Sequence, residues 1–297
     1  YTEILTTNIS PELGTRLTEH FALGAGLDLQ WARAKFNQMI GAPTLFLLLQ
    51  EDPASVDSLS YNKASSWGVG FHVGVMGMFN DNHTRIGLNY QSRMRHVFYG
   101  HSRLSGILAN NNFELVFPIL PPSASRTNND LFSNPQEFPD VLTLSGYQDI
   151  NERLALLGSV VYTGWHVFND IQLNNVAVPN IGGAPFFNVT QANINSNVVQ
   201  DYHDSWRVAL GANYRVNPKL MFRVGGGYDQ TPTPDAFRNV RLPDVDRWAI
   251  AVGAHYQWRP NVGIDVGYTH LFAGSNPDVD TVQALSQTSE YSVDING

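Results

Sequence analysis

The sequence predicts an all-β protein whose strands form an antiparallel transmembrane β-barrel. Three observations lead to this prediction. Apolar and polar residues alternate over long stretches, the connections between the stretches are short and long in turn, and aromatic residues recur at two heights of the apolar face. Of the 297 residues, 15% are charged and 11% are aromatic. A chain this poor in charge must hide or solvate its surface by other means than charged side chains.

Composition also excludes several classes of protein. The absence of cysteine excludes disulfide scaffolds, thiolate metal sites and cysteine nucleophiles. The formal charge is -8 and no run of Lys or Arg is present, which argues against nucleic-acid binding. The longest apolar run, Leu45 to Leu49, is far shorter than the roughly 18 residues that a membrane helix needs.

The alternating stretches are predicted to be strands. In residues 246–258, for example, Trp248, Ile250 and Val252 share one face, and Arg247 and Gly253 share the other. We expect about 11 strands of about 11 to 16 residues, whereas strands in globular sheets usually have about 5 to 6. The clearest strands cover residues 21–31, 67–79, 84–95, 205–216, 219–229, 246–258 and 261–272. Residues 139–150 and 154–171 are apolar on both faces in places, so their orientation stays open.

The connections between these strands alternate in length. Short connections are expected at residues 18–20, 80–83, 151–153, 217–218 and 259–260. Long connections are expected at residues 37–66, 100–138, 173–202 and 230–245. Outer-membrane barrels have short turns on the periplasmic side and long loops on the extracellular side. A soluble β-sandwich could share the alternation, but it does not explain this order of loops.

Aromatic residues on the apolar face agree with a membrane barrel. Trp206 and Tyr214 are eight residues apart, as are Trp248 and Tyr256. At about 3.3 Å per residue and a tilt near 40°, this spacing spans roughly 20 Å along the membrane normal, close to the apolar band of such barrels. The rings are therefore predicted to form two girdles.

Alternation assigns each residue of the clear strands to one of two faces. A midplane arginine facing lipid costs roughly 2 to 4 kcal/mol, so the face with arginines must be the interior. We expect the following residues to face lipid: Val208, Leu210, Val252, Ile264 and Val266. We expect the following residues to face the interior: Arg207, Gly211, Gly253 and Gly267.

Several segments carry a family resemblance. They include Arg223-Val-Gly-Gly-Gly-Tyr-Asp-Gln-Thr-Pro-Thr-Pro-Asp-Ala-Phe-Arg238, Arg241-Leu-Pro-Asp-Val-Asp-Arg247 and Asp265-Val-Gly-Tyr-Thr-His270. In these segments the chain resembles the FadL-like family of outer-membrane long-chain fatty acid transporters.

The resemblance implies a barrel of about 14 strands, an N-terminal plug, a ligand groove among extracellular loops, an inner pocket, and a lateral exit through a break in an early strand. Against that pattern, we expect residues 1–297 to be a single β-barrel domain segment. The plug, the first strands and the end of the closing strand are expected to be missing from it.

Candidate substrate-binding residues come from the lumen and from two long loops. The predicted interior is net basic, although the chain is net acidic, and arginine binds carboxylates bidentately. Cross-strand Arg–Asp ladders are the alternative role for any single arginine. The candidate lumen residues are Arg93, Arg95, Arg207 and Arg223. The candidate loop residues, taken from apolar runs that could bind an acyl chain or pack on each other, are Leu45, Phe46, Leu47, Leu48, Phe113, Leu115 and Phe117.

A polar cluster is expected at the extracellular rim. The segment Thr231-Pro-Thr-Pro234 stiffens the start of one long loop because proline fixes φ and restricts the preceding residue. The loop should therefore fold back on the rim. The expected cluster comprises Asp229, Arg238, Asp244, Asp246 and Arg247.

The function that follows is passive outer-membrane transport of hydrophobic compounds in a Gram-negative bacterium, with long-chain fatty acids as first choice. Uptake of aromatic hydrocarbons is the nearest alternative, and a general porin or a structural or adhesive surface barrel comes from a different class. We expect a monomer in outer-membrane lipid, with no nucleic-acid partner, cofactor or metal. An enzyme is not expected, because the neighbours His203, Asp204 and Ser205 cannot converge as a triad requires.

Overall fold

A computed structural model describes residues 2–41, 57–110, 113–114, 122–181, 188–238 and 244–274. In that part of the chain the regular structure consists of strands and three 3-10 turns, at Ile107–Ala109, Trp165–Val167 and Asp235–Phe237. None of its helical segments is long and apolar enough to span a membrane.

The strands fall into two groups along the chain. The first group comprises β1 (Thr2–Ile9), β2 (Glu12–Arg16), β3 (Phe21–Ile40), β4 (Ser58–Phe79), β5 (Thr84–Gln91), β6 (Met94–His96), β7 (Tyr99–Gly106), β8 (Phe113–Glu114) and β9 (Ala124–Ser133). The second group comprises β10 (Gln136–Phe138), β11 (Val141–Asp149), β12 (Leu154–Thr163), β13 (Asp170–Ile181), β14 (Asn188–Val199), β15 (Ser205–Asn217), β16 (Leu220–Asp229), β17 (Arg247–Arg259) and β18 (Val262–Ala273).

One antiparallel sheet forms the wall of the molecule. Its order is β18-β17-β16-β15-β12-β11-β5-β4, and β3 continues it on the far side of β4 with β1 and β2 paired to β3. At the long-loop end of the wall, residues 58–65 of β4 pair with β7 instead of β5, and β7 pairs in turn with β9. Within the described residues the sheet has free edges at β18 and at β1–β2. The antiparallel order agrees with the predicted β-barrel fold.

The register agrees with the predicted faces. Val208 lies opposite Tyr228, and Tyr228 lies opposite Trp248, so these residues share one face. Arg207, Asp229 and Arg247 are cross-strand neighbours on the other face. The predicted lipid-facing residues are large and exposed, with Leu210 70% and Val266 69% accessible. These exposed apolar side chains all lie on one face of the sheet. In a membrane barrel, that face contacts the hydrocarbon of the bilayer.

The register also orients the two segments whose faces stayed open. Leu142 and Leu144 of β11 lie opposite Tyr162 and Val160 of β12, on the lipid-facing side. Tyr147 lies on the interior side, where the guanidinium carbon of Arg85 is 3.9 Å from its ring centroid. Residues 139–150 therefore follow the alternation of their neighbours.

Aromatic rings mark the edge of the apolar face nearest the long loops, which we call the extracellular edge, at three places. Tyr162 packs on Trp206 with ring centroids 5.0 Å apart, and Tyr228 packs on Trp248 at 4.9 Å. Trp31 and Trp67 are cross-strand neighbours on the same face, and Trp67 is 68% exposed. Rings enriched at membrane interfaces account for this arrangement.

Several predicted strand limits were wrong. The strand expected at 84–95 ends at Gln91, and the strands expected at 21–31 and 67–79 are longer, as β3 and β4. The long connections expected at 100–138 and 173–202 contain strands, including the hairpin β13–β14. β1 and β2 were not predicted, because Ser10 and Pro11 interrupt their alternation.

A small apolar core lies on the interior face of the wall at its long-loop end, where β13 packs against β7 and β9. Its fully or nearly buried members are Ala32, Ala34, Ala64, Phe98, Leu131, Leu173 and Val176. The buried hydroxyl of Ser102 connects the layers, because it donates to Asn62 Oδ1 (2.6 Å) and accepts from the Ala177 amide (2.8 Å). This core holds the long-loop end of the wall in place.

Candidate functional site

A ribbon of two short strands leaves the wall and lies on its interior face. β6 pairs with β10, apart from the main sheet. Met94 and His96 of β6 point toward β4, over Gly70 and Gly68. His96 is fully buried, its Nε2 lies 3.1 Å from Gln30 Oε1, and its ring packs against Phe98 and Phe138. We call β6 and β10 the inner ribbon.

The side of the inner ribbon that faces away from β4 carries charge. Arg93, Arg95 and Glu137 lie on that side, because they alternate with Met94, His96 and Gln136, which are buried. Arg93 ion-pairs with Glu137 at 3.4 Å and with Asp140 at 3.5 Å. Arg95 is exposed and has no ion pair or hydrogen bond to another described side chain. The two predicted arginines therefore differ in how much of their charge is already balanced.

Arg207 of β15 and Arg223 of β16 also differ in whether an ion pair balances their charge. Arg223 donates to Asp265 Oδ1 at 2.9 Å, and His255 Nδ1 lies 3.1 Å from the other oxygen of this carboxylate. Arg207 faces Asp229 across the sheet, but Asp229 pairs with Arg247 at 3.1 Å. Arg207 therefore makes no ion pair within the described part of the chain.

Asp28, a carboxylate on the interior face, is hydrogen-bonded to residues other than the arginines. Asp28 is 2% exposed and accepts hydrogen bonds from Ser10 Oγ (2.6 Å) and Asn8 Nδ2 (3.0 Å), with His72 Nδ1 at 3.1 Å. This network was missed in the sequence because Asn8, Asp28 and His72 lie on three different strands and Ser10 lies in a connection. Asp28 therefore forms no ion pair with Arg95 or Arg207.

A polar cavity lies between the inner ribbon and the turn at Trp165–Val167. Its volume is about 390 Å³. The lining residues are Arg93, Pro135, Gln136, Glu137, His166, Val167, Asn169 and Asp170. Charges of both signs line it, so it suits a polar group or water better than an acyl chain. Among the residues with described side chains, no cluster of His, Asp and Glu could hold a metal ion.

The five rim residues lie in and around the loop between β16 and β17. Arg247 pairs with Asp229 (3.1 Å) and approaches Asp244 (3.7 Å). Arg238 is 4% exposed, pairs with Asp235 at 2.6 Å and donates to the Asp244 carbonyl at 2.9 Å.

Threonine completes the connection between the start and the end of this loop. Thr231 donates from its hydroxyl to Asp244 (2.7 Å) and from its amide to Asp246 (2.8 Å). Asp246 also accepts a hydrogen bond from Tyr228. The loop thus folds back on the wall through carboxylates and carbonyls.

The predicted loop residues mostly lie outside the described part of the chain. This holds for Leu45, Phe46, Leu47, Leu48, Leu115 and Phe117. Phe113 belongs to β8, whose backbone pairs with β14. That the two apolar loop segments approach each other stays a prediction.

Asp204, a further carboxylate at the long-loop end of the wall, gives a pH-dependent prediction. It accepts hydrogen bonds from Tyr162 Oη (2.6 Å) and the His166 amide (3.1 Å), and His166 Nδ1 lies at 2.7 Å. Burial alone would raise the pKa of Asp204, but the hydrogen bonds outweigh it and hold that pKa below its ordinary value. A carboxyl with a lowered folded-state pKa stabilises the fold above its unfolded pKa and loses this effect as pH falls through the folded one.

We therefore expect the protection of residues 164–168 against amide hydrogen exchange, relative to the intrinsic exchange rate, to fall between pH 5 and pH 3. Asp204→Asn should flatten this dependence, and Asp201→Asn, at an exposed loop position, should not. Parallel pH profiles in wild type and Asp204→Asn would contradict the assignment.

Comparison with known proteins gives consistent matches. Residues 1–297 match the family model described as outer membrane protein transport protein (OMPP1/FadL/TodX). A long-chain fatty acid transport protein of Escherichia coli O6:H1 is 28% identical over 284 residues, which cover 91% of this chain and 59% of that protein. The chain spans about three fifths of the length of the curated relatives it matches.

Solved structures agree on the fold. The crystal structure of a Pseudomonas aeruginosa FadL homologue matches with a TM-score of 0.73 at 24% identity, covering 95% of this chain and 63% of that one. The Pseudomonas putida toluene transporter TodX matches with a TM-score of 0.61 at 16% identity, covering 90% of this chain and 64% of that one.

Proposed function

Because the chain belongs to the outer membrane protein transport protein family (OMPP1/FadL/TodX), a family of outer-membrane transporters, we propose that its protein passes hydrophobic compounds across the outer membrane. Long-chain fatty acids are the first-choice substrate. The proposed transport is passive and needs no cofactor. Its driving force is the burial of the acyl chain, since each methylene that leaves water lowers the free energy by about 0.8 kcal/mol. The apolar loop segments that contain Phe46 and Phe117 would receive that chain first.

The observation that carries the choice of an acid is that two interior arginines make no ion pair within the described part of the chain. Arg95 and Arg207 have no carboxylate partner among the described residues, whereas Arg93 has two and Arg223 has one. An unpaired guanidinium can form a charge-assisted, bidentate bond to a carboxylate without first giving up another ion pair. We therefore assign the head-group contact to Arg95 and Arg207, and assign Arg93 and Arg223 to holding the interior charges in register.

The test compares an acid with neutral ligands. The protein in detergent is titrated with oleate, with the neutral 1-octadecene and with toluene, followed by tryptophan fluorescence or calorimetry. Arg95→Gln should weaken oleate binding about tenfold, the size of one charge-assisted hydrogen bond. It should leave 1-octadecene binding unchanged.

Arg259→Gln is the matched control, because Arg259 lies at the short-turn end of β17, where its guanidinium stacks on Trp258. It should change neither affinity. Equal binding of acid and neutral ligands by wild type and Arg95→Gln would move the proposal to aromatic hydrocarbons. Steady ion conductance in a planar bilayer without ligand would instead indicate a general porin, and no binding of any ligand would indicate a structural barrel.

A further inference from the structure

The outer face of the wall carries a basic patch just above the aromatic edge. Arg33 and Lys35 follow Trp31 on the lipid-facing side of β3, and Lys63 and Arg103 lie beside them on β4 and β7. We call these four residues the outer basic patch. Lys35, Lys63 and Lys219 are the lysines of the chain, so two of them lie in this patch although the chain carries a charge of -8.

Among the described residues, carboxylates balance only part of the charge in the patch. Glu3 of β1 pairs with Arg33 at 2.6 Å and with Lys35 at 3.2 Å. Lys63 and Arg103 have no carboxylate within ion-pair distance among the described residues, and Arg103 is held by a cation–π contact with Tyr61 at 5.8 Å. In the described part of the chain, one carboxylate therefore lies among four cations and pairs with two of them.

The pairing of the two lysines points to an anion. Lys35 and Lys63 lie directly opposite each other on neighbouring strands. Like charges in this position destabilise a sheet, and a chain with few lysines could easily avoid the arrangement. An anion bound between them would turn the repulsion into attraction.

The height of the patch identifies the source of that anion. At about 3.3 Å per residue and a tilt near 40°, Arg33 and Lys35 lie roughly 5 Å and 10 Å above Trp31 along the membrane normal. The polar layer of a bilayer begins at the aromatic girdle and extends over about this distance. Groups at that height meet lipid headgroups and not the solution above them.

From these observations we infer that the outer basic patch binds the phosphates of an outer-leaflet lipid whose headgroup carries more than one phosphate. Lys and Arg side chains are the usual partners of phosphate, and Arg103 can bind it bidentately. Farther along the same edge, at β12 and β15–β17, the described residues present carboxylates instead of a basic patch. There the carboxylates of Asp204 and Asp246 accept hydrogen bonds from Tyr162 and Tyr228.

The test uses bisphosphorylated lipid A as the probe. The purified protein in a neutral detergent is titrated with it, and bound lipid is counted by native mass spectrometry. The patch variant combines Lys35→Gln, Lys63→Gln and Arg103→Gln. The control variant removes the same charge at the short-turn end of the wall through Arg153→Gln, Lys219→Gln and Arg259→Gln.

We expect the patch variant to bind at least about tenfold more weakly and the control variant to bind as wild type does. Monophosphorylated lipid A should bind wild type more weakly than the bisphosphorylated form. Unchanged binding by the patch variant, or an equal loss in both variants, would overturn the inference. Displacement of the lipid by millimolar inorganic phosphate would also overturn it, because the site would then be one for a free anion.

Circular dichroism and the urea midpoint establish that the variants fold. Removing one of two opposed lysines should not lower stability, so Lys63→Gln alone provides a second measurement if the patch variant fails to fold. It should still weaken binding of the bisphosphorylated lipid. Full affinity in a folded Lys63→Gln protein would overturn the role of the opposed lysines.

Discussion

Replacing Arg238 by glutamine is expected to open the loop between β16 and β17. The guanidinium of Arg238 is 4% exposed, donates to the carbonyls of Thr233 and Asp244, and pairs with Asp235. Glutamine cannot reach all of these acceptors, and hydrogen bonds to a charged group contribute about 1.5 to 3 kcal/mol each. We therefore expect a local loss of about 2 to 4 kcal/mol, or opening that is about 30-fold or more frequent.

Hydrogen exchange at the Thr231 amide measures this opening, because that amide is bonded to Asp246 in the closed loop. Arg247→Gln is the matched control in the same rim. Its side chain is 41% exposed, and exposed ion pairs contribute only about 0 to 1 kcal/mol. If both variants exchange at the wild-type rate, the buried arginine does not hold the loop closed.

Replacing Gly68 by alanine should displace the inner ribbon. A Cβ atom at this position would lie 2.6 Å from Cε1 and Nε2 of the His96 ring. The ring is fully buried between Phe98 and Phe138, so it has no free space to move into. Overpacking of this kind costs about 1 to 3 kcal/mol. A ribbon pushed off the wall should also change passage through the lumen.

The measurements are the free energy of unfolding in urea and ion conductance in a planar bilayer. Gly24→Ala is the matched control, because a Cβ there meets only the Leu13 carbonyl at an ordinary 3.7 Å. His96→Ala in the Gly68→Ala background should recover part of the lost stability, which a double-mutant cycle reports as a coupling energy. Additive effects of the two substitutions would show that the ring and the glycine do not contact each other.

The strands that were predicted most accurately are those whose two faces have opposite polarity. The limits of β15 to β18 agree within about one residue, because each strand sets Val, Trp or Tyr against Gly and polar residues along its length. The hairpin β13–β14 was missed for a related reason. Its strands are rich in Asn, and a register shift between Leu173 and Val176 interrupts the alternation.

The candidate site shows what alternation cannot supply. It places Arg93 and Arg95 on the same side of a strand, but it cannot find the carboxylates of Glu137 and Asp140 beside only one of them. The inner ribbon could not be predicted either, since it depends on Gly68 and Gly70 of a strand more than twenty residues earlier in the chain. Such contacts are set by the fold and leave no local periodicity.

The rings at the extracellular edge have a consequence for how the protein sits in the bilayer. Tyr162 with Trp206, Tyr228 with Trp248, and Trp31 with Trp67 lie at separate positions along a curved wall. A single interfacial anchor sets only the depth of a protein in the membrane, whereas three anchors that are not in line define a plane. Rocking of the barrel axis in any direction would pull at least one ring pair out of the interface, so orientation as well as depth is encoded in these few side chains.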